Sequence, residues 1–407
     1  MGEGFSSEFF VANRERLRKL FTGKAPIVLT AAGALQRGGD STFRFHQDSS
    51  FWYLTGINNP DIILVMDKDK EYLILPERTD VAEVFDGMLE RAELQKQSGI
   101  TEIFDQKTGW KKLEGRLKKA KHVATLAPLA AYVNVFGFYT NPARAALMAR
   151  IKEANADIEA LDLRQHLAVM RMVKQAPELD AIQDAIDVTV KAFTSVKRKL
   201  PKLSHEYEIE AQLSYEFRRK GSAGHSFDPI VAGGANACTL HYVENNDQLP
   251  TSGLIMLDAG AQVNRYAADI ARTYALGTTT KRQRQIYEAV CEVQDFAFAQ
   301  LKPGISIREN EEAIEHFMGE KLRSLGLIKN VERAEIRKYF PHATSHFLGL
   351  DVHDRGDYDR PLEPGVVITV EPGIYVPEEG IGVRIEDDVL LTATGIKNLS
   401  RKLSREL

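Results

Sequence analysis

Two strand-forming runs near the C-terminal end of this chain each lead directly to a carboxylate. Residues 366–370 (VVITV) precede Glu371, and residues 380–385 (GIGVRI) precede Glu386. β-branched runs bounded by glycine and proline predict strands, and the polar turn between these runs predicts that they pair. An acid at the end of a buried strand needs a partner, because an unpaired buried charge costs several kcal/mol. Two such acids together favour a bound cation.

An earlier segment repeats this pattern. Residues 253–257 (GLIML) lead to Asp258, and Asp269 follows after a glycine-containing turn. The similarity indicates a weak internal repeat, in which two hairpins face one another across a pseudo-two-fold axis and hold four acids around one point. The alternative is two ordinary hairpins with exposed acids.

Helices precede both hairpins in the same order. A helix is predicted from Pro177, since proline favours the first turn, and another is predicted to end at Gly221. Before the second hairpin, Ser306 and Glu309 form a capping-box signature that opens a helix. The order helix, helix, hairpin therefore occurs twice, which supports the repeat.

The first part of the chain is predicted to be a separate mixed α/β domain. A length of 407 residues favours two domains. We place the domains at residues 1–165 and 166–407, in an α+β protein. Strands and one helix are expected in the first domain, at residues 26–30, 51–55, 62–66 and 71–75 and at residues 143–154, respectively.

Composition excludes several classes of function. The net charge of −4 provides no basic surface for nucleic acid, and no run of 18 apolar residues predicts a membrane span. The N-terminus lacks a signal-peptide pattern, so a cytoplasmic location is expected. Cys238 and Cys291 are the only cysteines. Two cysteines cannot form a disulfide framework or a cysteine zinc site, which favours a metal held by oxygen and nitrogen.

Three histidines lie between the two acids of the first hairpin and those of the second. His342, His346 and His353 fall within twelve residues. A single histidine is more often structural than a ligand, but three in this position indicate a site. Four acids and one imidazole suit two divalent ions, best Mn²⁺, with Zn²⁺ or Co²⁺ as substitutes. Water between two such ions is a nucleophile at neutral pH.

Five of these residues, in this order, resemble the metal ligands of the pita-bread metallopeptidases, and among them most closely the Xaa-Pro peptidases, prolidase and aminopeptidase P. The five are Asp258, Asp269, His346, Glu371 and Glu386. Residues 47–56 resemble the creatinase-like N-terminal domain of aminopeptidase P, and residues 239–242, 346–349, 352–354 and 370–375 resemble the catalytic half. The resemblance implies a creatinase-like domain followed by a pita-bread catalytic domain with a pseudo-two-fold repeat.

The resemblance also implies a role for each ligand. Asp258 would chelate one ion, Asp269 and Glu386 would bridge both, and His346 and Glu371 would complete the second. Glu371 would also take the proton from the bridging water and pass it to the proline nitrogen.

Other positions match non-ligand residues of these peptidases. His241 and His353 would hold substrate and stabilise the oxyanion. His342 and Tyr375 would contact substrate near the proline pocket, and Arg384 would support the ligands. The chain departs from the family at Phe227 and Ala271, which replace a usual tyrosine and threonine and so remove two hydroxyls.

The substrate expected from the sequence is an Xaa-Pro dipeptide. A dipeptidase must recognise the free carboxylate of proline, and Arg355 and Arg360 lie in a short loop that could supply the cation. Aminopeptidase P, which acts on longer peptides with proline second, is the alternative. The alternative for the loop is that Arg355 and Arg360 only pair with Asp354, Asp357 and Asp359.

Three further classes are less favoured. Methionine aminopeptidase has the same ligand order without a leading domain, creatinase lacks the ligands, and an inactive pita-bread binding protein would have lost some of them. We also expect a homodimer. Trp52, on the predicted strand at residues 51–55, is either a contact of that dimer or part of the core of its own domain.

Overall fold

The computed structural model describes residues 4–126 and 137–407. These residues divide into two compact units, residues 5–170 and residues 171–407. Each unit has its own sheets and its own buried core, as described below.

The N-terminal unit is built on a six-stranded sheet and also contains a separate two-stranded sheet. In chain order, the strands of this unit are β1 (Ile27–Thr30), β2 (Gln36–Gly38), β3 (Ser41–Thr42), β4 (Ile63–Met66), β5 (Glu71–Ile74), β6 (Ile103–Phe104), β7 (His122–Thr125) and β8 (Glu159–Asp162). The large sheet has the order β6-β5-β4-β1-β7-β8, and β2 pairs with β3. Its helices are α1 (Ser7–Leu20), α2 (Ser49–Thr55), α3 (Asp80–Asp86), α4 (Arg91–Ser98), α5 (Gln106–Leu117) and α6 (Ala143–Ala154). Strand β4 pairs antiparallel with β1 and with β5. Strand β6 pairs parallel with β5, β7 with β1, and β8 with β7.

The strand predicted at residues 51–55 is wrong, because this segment is helix α2. The Asp48 side chain accepts hydrogen bonds from the backbone N–H groups of Ser50 and Phe51, and Gly56 ends the helix with φ 72°. This cap and stop outweigh the strand preference of the aromatic side chains. Trp52 is only 6% exposed and packs edge-on against Phe10. It belongs to the core of its own unit.

The second unit contains the two predicted hairpins and the helices that precede them. Helix α7 (Arg164–Met172) begins in the N-terminal unit, and only its last two residues belong to the second. The other helices of the second unit are α8 (Ala176–Lys199), α9 (Glu206–Arg219), α10 (Lys281–Gln300), α11 (Ile307–Ser324) and α12 (Arg333–Tyr339). Its strands are β9 (Gly224–His225), β10 (Ile230–Gly233), β11 (Gly253–Ala259), β12 (Ala261–Val263), β13 (Tyr266–Ala267), β14 (Ile270–Leu276), β15 (Val367–Val370), β16 (Gly373–Val376), β17 (Ile381–Arg384), β18 (Asp387–Thr392) and β19 (Gly395–Asn398). Short 3₁₀ helices occur at Leu200–Lys202, Gly234–Cys238 and Pro377–Glu379.

The repeated order of elements is confirmed in this unit. Helices α8 and α9 precede the sheet β10-β11-β14, and α10 and α11 precede the sheet β15-β18-β19. Ser306 and Glu309 form the predicted capping box of α11. One pairing was wrong, because β15 pairs with β18 while β17 pairs with β16. The Pro372-Gly373 step after Glu371 ends β15 and starts β16, which takes β17 as its partner.

The observed register brings the acids of each hairpin close together. Val370 lies opposite Asp387. Glu371 follows Val370 and Glu386 precedes Asp387, so both glutamates lie at the same end of the β15-β18 ladder. In the other sheet, Asp258 lies opposite Ala271. Among the described residues, no helix is both long and apolar enough to cross a bilayer.

Candidate metal centre

Three of the expected ligands converge in the centre of the second unit. Asp269 precedes β14, Glu386 precedes β18, and His346 lies in the loop before β15. One ligand atom from each lies within 4.8 Å of the others, and all three residues are buried. Because the two acids come from different sheets, the repeated hairpins meet at this point.

Asp258 and Glu371 adjoin these three residues. Nε2 of His346 lies 3.3 Å from Oε1 of Glu371 and 3.4 Å from Oδ2 of Asp269. The charge of Asp258 acts together with burial to raise the pKa of Asp269. The structure therefore brings Asp269, His346, Glu371 and Glu386 together. The charge of Asp258 acts on this group.

The acids of this cluster need a cation. Burial, followed by the charges of Asp269 and Glu371, raises the pKa of Glu386 well above its usual range. Burial also raises the pKa of Glu371 to about 8. Two buried carboxylate oxygens, Oδ1 of Asp258 and Oε1 of Glu386, have no hydrogen-bond partner. Unpaired oxygens among repelling carboxylates are the donor set that a hard divalent cation requires.

His346 is suited to be the nitrogen ligand. Burial lowers its pKa to about 3, which leaves the ring neutral. Nδ1 lies 3.1 Å from the carbonyl oxygen of Phe347. If Nδ1 carries the proton and donates to that oxygen, Nε2 presents its lone pair to the acids.

A hydrogen-bonded chain connects Asp258 to His342. Arg384 donates from Nη2 to Oδ2 of Asp258 at 2.5 Å and from Nη1 to the Tyr375 hydroxyl at 3.0 Å. That hydroxyl lies 2.8 Å from Nε2 of His342, whose Nδ1 lies 2.8 Å from the Ala343 carbonyl. Burial lowers the pKa of His342 to about 3, so the ring is neutral and accepts from Tyr375.

His353 and His241 lie on the exposed side of the cluster. The ring of His353 is centred 4.2 Å from that of His346. Burial, and then the charge of His241, lowers the pKa of His353. His241 follows the 3₁₀ helix Gly234–Cys238 and is exposed.

The two loop arginines differ in their surroundings. Nη2 of Arg360 donates to Oε1 of Glu363 at 2.7 Å. The backbone N–H of Arg360 donates to the backbone carbonyl of Asp357. Its side chain pairs with Glu363 and not with any of the three aspartates considered from the sequence. Arg355 is partly buried.

Sequence reasoning did not find two buried acids that support the site. Oδ2 of Asp388 accepts from the backbone N–H of Asp269 at 3.1 Å. Asp354, next to His353, accepts from Lys174 at 2.8 Å and also from Arg171. The Glu-Asp-Asp run at residues 386–388 was the available signal for Asp388. The sequence suggested Arg355 or Arg360 as partners of Asp354, whereas its actual partners, Arg171 and Lys174, lie some 180 residues earlier.

Ala271, where the family usually has threonine, contributes through its backbone. Its carbonyl accepts from the N–H of Glu386 at 3.0 Å, which connects the two hairpins. The hydroxyl of Ser226, which precedes Phe227, lies 2.9 Å from the carbonyl oxygens of Gly260 and of Ala268. Gly260 lies two residues after Asp258, and Ala268 lies directly before Asp269. These contacts connect the segments that follow Asp258 and precede Asp269.

A buried group of four carboxylates and one neutral imidazole, carried on repeated hairpins, defines a dinuclear metal hydrolase. Comparison with known families gives the same class. The model of metallopeptidase family M24 matches residues 180–393, and that of the aminopeptidase P N-terminal domain matches residues 10–125. The chain belongs to metallopeptidase family M24 and is a metallopeptidase.

Relatives match over nearly the whole chain. The Xaa-Pro aminopeptidase of Haemophilus influenzae is 34% identical, over 98% of this chain and 95% of its own length. Human Xaa-Pro aminopeptidase 3 is 32% identical, over 99% of this chain and 85% of its own. Among solved structures, aminopeptidase P from E. coli in its low-pH form is 31% identical with a TM-score of 0.86, covering 99% of this chain and 97% of that one.

Proposed function

We propose that this metallopeptidase is an Xaa-Pro aminopeptidase, which releases the first residue of peptides that have proline second. The observation that carries the proposal is the full-length similarity to proteins named Xaa-Pro aminopeptidase. The dipeptidase favoured from the sequence depended on a loop arginine that binds the proline carboxylate. Arg360 is instead paired with Glu363, which weakens that argument.

Asp258, Asp269, His346, Glu371 and Glu386 would hold two divalent cations. Mn²⁺ is our choice, with Zn²⁺ or Co²⁺ as substitutes, because four carboxylates and one imidazole form a hard, oxygen-rich donor set. Such cations polarise a carbonyl and lower the pKa of water. The partnerless oxygens of Asp258 and Glu386 support this assignment.

Glu371 would move the proton in this reaction. Its carboxylate lies against His346 and accepts a weak hydrogen bond from the Thr369 hydroxyl at 3.4 Å. A carboxylate at the edge of the cluster can take the proton of the attacking water and pass it to the proline nitrogen as the peptide bond breaks.

The histidines and the Arg384 chain would position the substrate. His241 and His353, on the exposed side, would donate to the oxygen that becomes negative in the transition state. His342, held neutral by burial and oriented by Tyr375, would offer an uncharged face to the proline ring. Arg384 would orient Asp258 and Tyr375 together.

The proposed substrate length can be tested by comparing Xaa-Pro-Yaa with Xaa-Pro for the same first residue. We expect kcat/KM to be at least ~10-fold higher for the tripeptide, because Arg360, one of the two loop cations that could receive the free carboxylate of the dipeptide, is already paired with Glu363. Arg360→Ala should change neither value, since its partner is Glu363. A dipeptide cleaved as well as the tripeptide, or a selective loss of dipeptide cleavage in Arg360→Ala or Arg355→Ala, would restore the dipeptidase.

We also propose a homodimer, with an apolar surface on the N-terminal unit as the contact. Val84 and Phe85 of α3 are each 82% exposed, and Met88 is 67% exposed. Light scattering should give about twice the 45.6 kDa chain mass. Phe85→Ser should shift the particle towards the monomer while the control Asp86→Ser does not. A particle of single-chain mass at ~10 µM would refute the dimer.

A cytoplasmic location remains our prediction. It is supported by Cys238 and Cys291, which are both free thiols. Free, partly buried thiols are usual in reducing compartments.

A further inference from the structure

His241 is exposed and lies on the segment that connects β10 to β11, residues 234–252, which we call the His241 loop. Within the described part of the chain, its ring has no hydrogen-bond partner. Burial, and then the charge of His241, lowers the pKa of His353, so the two side chains lie near one another. The place of this exposed ring beside His353 therefore depends on the backbone of the loop.

The start of the His241 loop is bonded to a buried carboxylate on helix α9. Glu206 is the first residue of that helix and is 0% exposed. Its Oε1 accepts from the backbone N–H of Gly233, the last residue of β10, at 2.8 Å. The same oxygen accepts from Nδ2 of Asn236 at 3.1 Å. One oxygen of Glu206 thus holds the chain where the loop begins.

The other oxygen of Glu206 is bonded to the chain beyond His241. Oε2 accepts from the Tyr242 hydroxyl at 2.7 Å and from the backbone N–H of Asp247 at 3.0 Å. Burial, and then the hydrogen bond to Glu206, raises the pKa of Tyr242 to about 12, which keeps its hydroxyl a donor at neutral pH. Because Tyr242 directly follows His241, one carboxylate fixes the chain on both sides of this histidine.

A carboxylate is the side-chain group that suits this position. All four of its partners are uncharged donors, and an ionised carboxylate has about four acceptor sites and no donor. The N-terminus of α9 also favours a negative charge at its first residue. An amide in place of the carboxylate would turn two donors towards groups that themselves donate, and part of the loop would lose its bonds to α9.

The path of the chain around Glu206 does not depend on this side chain alone. Its backbone N–H donates to the carbonyl of Asp247 at 3.0 Å, and the N–H of Leu249 donates to the carbonyl of Ser204 at 2.8 Å. These two bonds join the start of α9 to the end of the His241 loop and remain when the side chain is changed. The carboxylate therefore adds precision to a segment whose course is already set.

We propose that Glu206 is a positioning residue for the peptidase reaction, which acts through His241. Its carboxylate holds both ends of the His241 loop, so that the His241 ring stays beside His353 and can donate to the oxygen that becomes negative. The inference rests on the proposed function and adds to it a residue that bonds to the loop and not to the substrate.

A double-mutant cycle between Glu206→Gln and His241→Ala tests this role. At saturating peptide and Mn²⁺, Glu206→Gln should lower kcat for Xaa-Pro-Yaa by at least ~10-fold, because a misplaced oxyanion donor loses much of its effect. In the His241→Ala background the same change should alter kcat by less than ~2-fold, because the ring that it positions is gone. A purely structural role would lower kcat alike in both backgrounds.

Two further variants make the test specific. Glu244→Gln removes the same charge from an exposed residue of the same loop and is the matched control, which should keep kcat within ~2-fold of the wild type. Tyr242→Phe keeps the ring but removes one of the four donors to Glu206, and it should lower kcat a few-fold. If circular dichroism shows that Glu206→Gln does not fold, the cycle of Tyr242→Phe with His241→Ala decides instead.

Hydrogen exchange gives a measurement that does not depend on hydrolysis. The backbone amides of residues 234–247 should exchange at least ~5-fold faster in Glu206→Gln than in the wild type, and at an unchanged rate in Glu244→Gln. Wild-type protein that cleaves no Xaa-Pro-Yaa peptide would refute the proposed function. Unchanged exchange in Glu206→Gln, equal kcat losses with and without His241, or equal losses in Glu206→Gln and Glu244→Gln would each overturn the role of Glu206.

Discussion

Glu371→Gln should lower kcat by at least ~10²-fold and leave the fold intact. Glutamine keeps the shape of the side chain and one oxygen, but it cannot take a proton from water, and general-base catalysis is typically worth ~10²–10⁴-fold. The backbone N–H of Glu371 bonds to the Thr344 carbonyl and is unchanged by the substitution. The local structure of the loop should therefore persist.

The experiment has to separate proton transfer from metal loss, because Glu371 is also a proposed ligand. Metal content should be measured beside kcat, at saturating Mn²⁺. Glu320→Gln, an exposed position on α11, makes the same chemical change away from the cluster and should keep kcat within ~2-fold. Turnover of Glu371→Gln within a few-fold of the wild type, at full metal content, would show that another group is the base.

Local signals in the sequence were sufficient for most elements of the catalytic unit. The β-branched runs became β11, β15 and β17, and the Ser306 capping box opens α11 as predicted. Which strands pair was harder to predict from the sequence, because β15 and β17 each have two possible partner strands. The choice depends on the Pro372-Gly373 step, which separates β15 from β16 and so leaves β18 to complete the first ladder.

Contacts between distant residues could not be predicted in this way. The family resemblance implied that Arg384 supports the ligands, but its two partners, Asp258 and Tyr375, are fixed only by the folded arrangement of three strands. The same holds for Asp354 with Lys174 and Arg171. The strand prediction for residues 51–55 was wrong for a different reason. Capping of helix α2 by Asp48 and Gly56 outweighed the strand-like composition of this segment.

Exhaustive chelation should abolish peptide hydrolysis, and Mn²⁺ should restore it best. Without cations, the carboxylates of Asp258, Asp269, Glu371 and Glu386 face one another in a buried site, where like charges repel strongly. Activity should follow metal content measured on the same samples, with two ions per chain at full activity. Undiminished hydrolysis by metal-free protein would contradict the assignment of a metal centre.

The affinity for the metal should also fall as the pH is lowered from about 8 to about 6. Burial raises the pKa of Glu371 to about 8 and raises that of Asp269 and Glu386 in the cation-free site, so these groups hold protons that a cation must displace. A carboxyl group whose folded pKa exceeds its unfolded value stabilises the fold at low pH and loses that contribution as the pH rises through the folded pKa. The metal-free protein should therefore melt at a lower temperature at about pH 9 than at about pH 6, whereas Mn²⁺ should remove most of this difference. Calorimetric titration with Mn²⁺ in two buffers of different ionisation enthalpy measures the released protons directly. Release of none between about pH 6 and about 8 would show that the acids are already charged and that their surroundings do not raise their pKa values.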